Sequence, residues 1–146
     1  AAIAEQAESR LFEHRPFINI QNKKQFSISE AIGHAACVLA QDAGARAIVC
    51  CTRTGHTARL VARYRPVVPI IGVSPGMETV RRMALVWGVR PVLCDDFKSI
   101  DGMIQTSLDA ARQSGELDSG SRIVIAGGSP AAGPGHTDFL RVAVVP

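Results

Sequence analysis

The chain has 146 residues and a mass of 15.5 kDa, which is enough for one domain with its own core. Hydrophobic residues make up 47% and charged residues 20%, a balance that excludes an intrinsically disordered protein. A net charge of +3 and an aromatic content of 5% argue against a nucleic-acid or membrane-surface partner. We therefore predict a single domain over residues 1–146, without a membrane helix.

The cysteines indicate a reduced, metal-free protein. They form no C-x-x-C pair and do not group with the histidines at zinc spacing. Each lies in an apolar run, which is typical of small buried side chains in a reducing cytoplasm. The chain starts at Ala1, and Glu5 and Glu8 lie where a signal peptide needs apolar residues. We expect a cytoplasmic protein that is a piece of a longer chain or has a processed end.

The first 44 residues are predicted to be helical, with one connector. Apolar spacing predicts a helix over Ala1–Leu11, and Arg15–Gln25 has the proline and turn formers of a connector. Residues 1–26 would thus lead into the domain. An alanine-rich helix follows, capped by Ser27 or Ser29 and ended by Gly44.

From Ala45 onward, short apolar runs alternate with helical patterns. We predict strands over Ala47–Cys51, Pro69–Val73, Val89–Cys94, Arg122–Ala126 and Phe139–Val145, and helices over Thr57–Tyr64, Glu78–Gly88 and Ile100–Ser114. Strands that are apolar throughout are buried on both faces, which predicts an α/β layered sheet with a parallel centre. The last strand follows a helix-free loop, Gly127–Asp138, so we expect it to lie antiparallel at an edge.

The connection between the first strand and the next helix is the best candidate for a binding site. It reads Thr52-Arg53-Thr54-Gly55-His56-Thr57. A helix N-terminus beyond a strand's carboxyl end offers unpaired N–H groups to an anion, and hydroxyls and an arginine add donors. These residue types indicate a site for a phosphate monoester. The alternative is that the threonines only cap the helix.

A second glycine-rich stretch, Gly127–Asp138, follows the fourth strand. It lacks the G-x-x-x-x-G-K-[ST] pattern, and no helix follows it, so neither a P-loop nor a dinucleotide fingerprint is tenable. It fits either a flap over a neighbouring site or a plain surface loop. His136 is either a phosphate contact in that flap or a solvated side chain.

No group of residues has the pattern of a catalytic site. There is no G-x-S-x-G serine, and no cysteine has a base nearby in the sequence. Asp95 and Asp96 follow a strand end, where they form either a carboxylate site or a turn; adjacent strand residues point to opposite faces, which favours the turn. A run of arginines after the threonine loop predicts a solvated face or ion pairs across subunits: Arg59, Arg63 and Arg65.

These same residues resemble a known family. The string from Thr52 to Pro66 (T-x-T-G-x-T-A-x-x-V-A-x-Y-R-P), the run Pro69–Val73 (PIIGV) and the later G-V-x-P-V from Gly88 closely resemble the C-terminal domain of pyruvate kinase. The helix near Ala2–Glu8 resembles the one that leads from that family's catalytic barrel. Gly135–Asp138 resembles its final loop, so the likeness covers essentially the whole chain.

The resemblance implies a three-layer α/β/α domain with a five-stranded mixed sheet and an antiparallel last strand. It implies that phosphoryl transfer from phosphoenolpyruvate to ADP, with magnesium and potassium, occurs in a barrel outside this chain, which alone would be inactive and hold no cofactor. The domain's implied roles are homotetramer assembly and binding of a phosphorylated effector. The effector loop would be Thr52, Arg53, Thr54, Gly55, His56 and Thr57, beneath a flap that includes Gly133, Gly135, His136 and Thr137.

Departures from the family pattern narrow the expected effector. Members that clamp fructose 1,6-bisphosphate use a tryptophan and an arginine before the fourth strand, but Asp95–Ala111 contains neither, and Met103 falls near the arginine position. A sugar monophosphate or AMP is therefore favoured over a bisphosphate. Asp138 replaces a frequent asparagine, and His56 is uncommon in the loop.

A free-standing small-molecule binding protein and a purely structural domain with an empty loop remain as alternatives. The edge strand Phe139–Val145 is the expected assembly surface.

Overall fold

A computed structural model describes residues 25–146. The predicted helix Ala1–Leu11 and the connector up to residue 24 lie outside the described residues. The helices are α1 Ile28–Asp42, α2 His56–Arg63, α3 Met77–Met83 and α4 Ile100–Gln113, and the strands are β1 Ala47–Cys51, β2 Ile70–Ser74, β3 Val89–Leu93, β4 Arg122–Gly127 and β5 Phe139–Val144.

The strands form one mixed sheet in the order β3-β2-β1-β4-β5. The first four are parallel, and β5 pairs antiparallel with β4, with Gly127 opposite Phe139. The predicted α/β sheet and its antiparallel edge strand are thus confirmed. The chain builds outward from β1 through β2 to β3 and then crosses back to add β4 on the other side of β1. In sheets of this kind, ligands bind where the order reverses, beyond the carboxyl ends of the strands.

Alternating side chains of the central strands fill two separate cores. Ile48 and Cys50 of β1 pack on the face covered by α1, α2 and α3, together with Val61 and Met83. Their neighbours Ala47, Val49 and Cys51 face the opposite way and pack with Met103 and Ala111 of α4. The period of two along each strand therefore turns one apolar run into two layers of contact, as expected for a sheet buried on both faces.

Local signals set most helix ends. Ser27 caps α1, since its side chain accepts a hydrogen bond from the Glu30 N–H at 3.2 Å while the Glu30 carboxylate accepts one from the Ser27 N–H at 3.0 Å. The third helix is shorter than predicted. It ends at Met83 instead of Gly88, because the Leu85 and Val86 N–H groups turn back to carbonyls only three residues earlier.

The connection between β4 and β5 also differs from the sequence expectation of a helix-free loop. It contains one turn of 3-10 helix, Pro130–Ala132, whose first position is a proline. This single turn adds no crossover, so β5 still returns antiparallel beside β4. Within residues 25–146, no helix combines the length and apolar character that a membrane span requires.

Candidate functional site: a polar pocket at the sheet's switch point

The two loops singled out from the sequence meet beside the point where the strand order reverses. The loop Thr52–Thr57 leaves β1, and the stretch Gly128–Thr137 leaves β4, the neighbouring strand. Because parallel strands present their carboxyl ends at one edge, both loops begin there. They line one pocket with residues from each, among them Thr52, Arg53, Thr54, His56, Thr57, Gly133, Gly135 and His136.

Hydrogen bonds within the first loop fix its shape. The Thr52 hydroxyl oxygen accepts from the Gly55 N–H at 2.8 Å, and the Thr54 hydroxyl oxygen accepts from the His56 N–H at 3.3 Å. Gly55 begins α2 with φ +84°, a left-handed conformation that favours glycine. The threonines thus hold the turn, which is part of the capping interpretation, yet each hydroxyl hydrogen remains available for an anion.

The same turn leaves backbone donors available. Among the described residues, no acceptor pairs with the N–H groups of Thr54 and Thr57, both of which line the pocket. They lie at the start of an eight-residue helix, α2, whose partial positive charge adds to theirs. Backbone donors, hydroxyls and a helix start together form a surface suited to a phosphate oxyanion.

The second loop is closed on itself by short contacts. The Asp138 carboxylate accepts from both the N–H and the hydroxyl of Ser129, at 2.7 and 2.8 Å, and the Asp138 N–H donates to the Gly127 carbonyl at 3.0 Å. A Cβ on Gly128 would lie 2.1 Å from the His136 carbonyl oxygen, so only glycine fits there. The Asp138 carboxylate is therefore bound to its own loop and is not part of the pocket lining.

A buried pair of hydroxyls joins the two loops. The Thr57 and Thr137 side-chain oxygens are 2.6 Å apart, and both residues are buried. The Thr137 N–H in turn donates to the Ser29 hydroxyl at 3.1 Å, in the first turn of α1. Thr137, expected as a flap residue, is thus anchored, whereas Gly135 and His136 beside it are exposed.

Two arginines, Arg53 and Arg59, contact the first loop or its surroundings, although the sequence predicts only Arg53 there. Arg53 donates from Nη2 to the Asp96 carboxylate at 2.7 Å and to the Phe97 carbonyl at 2.8 Å. Asp96 is thereby an ion-pair partner of this loop rather than only a turn residue. Arg59, expected on a solvated or interface face, donates to the Thr54 carbonyl at 3.3 Å. Its position one turn after Gly55 was the available signal, since helical side chains lean toward the N-terminus.

The pocket is narrow and carries little negative charge of its own. The space enclosed between the loops is about 20 Å³, which is room for one water molecule. A phosphate group would therefore require the exposed stretch Pro134–His136 to move outward. Cys51 also lines this space, but burial raises the pKa of its thiol to about 11, so the thiol stays neutral at physiological pH.

Comparison with known proteins identifies the family. The model of the pyruvate kinase alpha/beta domain matches residues 30–143. This chain belongs to the pyruvate kinase alpha/beta domain family. The pyruvate kinase of Clostridium acetobutylicum is 37% identical over 145 residues, which are 99% of this chain and 31% of the relative. That of Staphylococcus aureus is 35% identical over 119 residues, 82% of this chain and 20% of the relative. The chain therefore spans about a third or less of these relatives.

Solved pyruvate kinase structures share the fold. A crystal structure of Cryptosporidium parvum pyruvate kinase matches with a TM-score of 0.73 and 25% identity, covering 85% of this chain and 24% of that one. A structure of the same organism's enzyme in complex with ADP matches with a TM-score of 0.75 and 27% identity, covering 85% and 25%. The family resemblance that the threonine loop indicated is thus confirmed, together with the five-stranded mixed sheet that it implied.

Proposed function

We propose that this chain is the regulatory and assembly domain of a pyruvate kinase, and that its Thr52–Thr57 loop binds the phosphate of a small effector. The observation that carries the proposal is the meeting of two polar loops at the switch point, where Thr54 and Thr57, whose N–H groups have no acceptor among the described residues, line one space. An effector that binds the active arrangement more tightly would shift the enzyme toward it.

Catalysis is proposed to reside outside this chain. The curated relatives are roughly three to five times longer than the region they share with it. By the family resemblance, phosphoryl transfer with magnesium and potassium, in the cytoplasm, belongs to the full-length enzyme, and this segment alone would be inactive. Within residues 25–146, no three His, Cys, Asp or Glu side chains lie together in a way that could hold a metal ion.

A monophosphate is the proposed effector class. The region that would hold a second phosphate contributes Met103, which is fully buried in the core beneath Gly127 and offers no charge. We therefore expect a sugar monophosphate or AMP to bind more tightly than a sugar bisphosphate. Calorimetric titration of the chain with all three would decide, and tighter binding of the bisphosphate would contradict this choice.

The decisive test replaces Thr54 and Thr57 by alanine in the full-length enzyme. Activation by the effector should be lost, because two of the loop's three threonine hydroxyls are removed and the Thr57 link to the second loop goes with them, while turnover without effector should be unchanged. Activation that survives both substitutions would overturn the proposal. Thr106→Ala, a threonine on α4 outside this pocket, is the matched control.

Tetramer assembly is proposed to use the edge of β5. Among residues 25–146, this strand is paired on one side only, with β4, and Val142 and Val144 are exposed. The opposite sheet edge, β3, contains Pro91, which cannot donate a backbone hydrogen bond. Val142→Lys should therefore lower the mass measured by light scattering in the full-length enzyme, whereas a charge placed on β3 should not.

One observation favours a second candidate, a structural domain with an empty loop. The enclosed space of about 20 Å³ is already closed by the second loop, which is fixed at Gly128 and Asp138. This candidate predicts no thermal shift of the chain with any phosphate compound. A phosphate-dependent rise in melting temperature that Thr54→Ala abolishes would exclude it.

A further inference from the structure

Arg53 is held by one of its three guanidinium nitrogens. Its Nη2 donates to both the Asp96 carboxylate and the Phe97 carbonyl. The Phe97 ring lies beneath the guanidinium, with 5.0 Å between the Arg53 Cζ and the ring centroid. Nε and Nη1 have no partner among the described residues. Three contacts therefore orient the group while leaving two nitrogens able to donate.

The partners of Arg53 lie at different places relative to the pocket. Arg53 and Phe97 are part of its wall, whereas Asp96 is not. The Arg53 side chain is 35% exposed and that of Asp96 is 51% exposed. Asp96 thus contacts the guanidinium from outside the pocket wall, where it does not occupy the space an anion would take.

We infer that Asp96 is a positioning residue for anion binding, which holds the Arg53 guanidinium over Phe97 at the pocket so that its remaining N–H donors are presented to a phosphate. The inference rests on the proposed function. Arginine is a long side chain with many rotamers, so a guanidinium that is already fixed loses less conformational entropy when a ligand binds. Asp96 supplies that order without occupying pocket space.

A positioning role and a purely electrostatic role of Asp96 predict opposite changes in phosphate affinity when its carboxylate is removed. Removing a negative charge near an anion site strengthens binding through the field alone, an effect that salt screens. Releasing Arg53 weakens binding, and that effect persists at higher salt. Substitution of Asp95 distinguishes the effect of charge from the effect of releasing Arg53. Asp95 is the adjacent exposed carboxylate, and it has no hydrogen-bond or ion-pair partner among the described residues.

The test measures inorganic phosphate binding to the 146-residue chain by NMR titration at two ionic strengths. We expect Asp96→Asn to weaken phosphate binding about two- to fivefold, the range of an exposed ion pair. Asp95→Asn should leave affinity unchanged or slightly tighter, and Asp96→Glu should restore most of the loss. Arg53→Gln should weaken binding about tenfold, and Asp96→Asn in that background should weaken it no further.

The possible outcomes distinguish failure of the positioning role from failure of phosphate binding itself. If Asp96→Asn matches Asp95→Asn or binds phosphate more tightly, Asp96 is no positioning residue, although phosphate binding by the loop stands. An equal loss from Asp96→Asn with and without Arg53 also overturns the inference. If phosphate moves no loop resonance of the unaltered chain, the proposed function and the inference both fail. The Arg53 Nε–H resonance reports the guanidinium directly and should broaden or shift in Asp96→Asn before phosphate is added.

Discussion

The described chain has two hollows near the carboxyl ends of its parallel strands, and they differ in size and chemistry. The pocket between the β1 and β4 loops encloses only about 20 Å³ but is lined by hydroxyls, backbone N–H groups and Arg53. The groove between β3 and α4 is about 340 Å³ and is lined by apolar side chains, Cys94 and two carboxylates, Asp95 and Asp109.

The difference shows that the larger hollow is not the one whose lining suits an anion. The groove is the larger of the two, but its carboxylates repel phosphate. The pocket is small because its second loop already lies against the first. Its donors are fixed before any ligand arrives, which lowers the entropy lost on binding. The following predictions test whether this contrast holds.

The largest effect is expected from Gly128→Ala, which disturbs the small pocket at its closest contact. The added Cβ would lie 2.1 Å from the His136 carbonyl oxygen, a backbone atom, so the second loop has to shift. We expect a loss of about 2 kcal/mol in the free energy of unfolding and no detectable phosphate binding. Denaturant unfolding and NMR titration measure the two effects.

Gly76→Ala is the control for that substitution. Gly76 begins α3 with φ −98°, and the nearest atom to its added Cβ is 3.6 Å away, an ordinary contact. Its unfolding free energy should stay within about 0.5 kcal/mol of the unaltered chain. If Gly128→Ala retained full phosphate affinity, the closed second loop would not be part of the pocket.

A smaller effect is expected at the hydroxyl pair that joins the two loops. Thr57→Val keeps the shape but leaves the buried Thr137 hydroxyl without its partner at 2.6 Å. That loss should cost about 1 kcal/mol of stability, at the lower end of the range for an unpaired buried hydroxyl. The double variant with Thr137→Val should recover part of it, since neither hydroxyl then lacks a partner. Thr106→Val, in the wall of the groove, should change stability little. Additive losses in the double variant would show that the two hydroxyls are not coupled.

The sequence predicts the pocket's components better than their arrangement. Threonines and a glycine between an apolar strand and a helix signal an anion loop locally, and Thr52 and Thr54 lie where that signal places them. The ion pair of Arg53 with Asp96 spans 43 residues and depends on β3 lying two strands from β1, which no local pattern encodes. The early end of α3 at Met83 is instead local: the apolar spacing of a helix continues past Met83, but the backbone there forms i→i−3 hydrogen bonds.

The prediction with the smallest expected effect on stability concerns Cys94, whose ionisation reports how strongly the groove disfavours a negative charge. Burial is the main cause that raises the pKa of this thiol to about 11 from an ordinary value of 9.0, and the carboxylates of Asp95 and Asp96 raise it further. Two pH units correspond to about 100-fold less thiolate at pH 8 than for an ordinary cysteine.

Alkylation of Cys94 by iodoacetamide, followed by peptide mass spectrometry, tests directly whether the pKa of this thiol is raised. The thiolate is the reacting form, and a raised pKa keeps it scarce, so the rate should rise about tenfold per pH unit and level off only near pH 11. Asp95→Asn should speed the reaction at pH 8 a few-fold, because it removes one of the charges that disfavour the thiolate. Unfolding free energy should not change, since Asp95 is exposed. A rate that levels off near pH 9 would mean that burial does not disfavour the thiolate. A rate that Asp95→Asn leaves unchanged would mean that the carboxylates of the groove do not repel an anion, and the contrast between the two hollows would then reduce to their size.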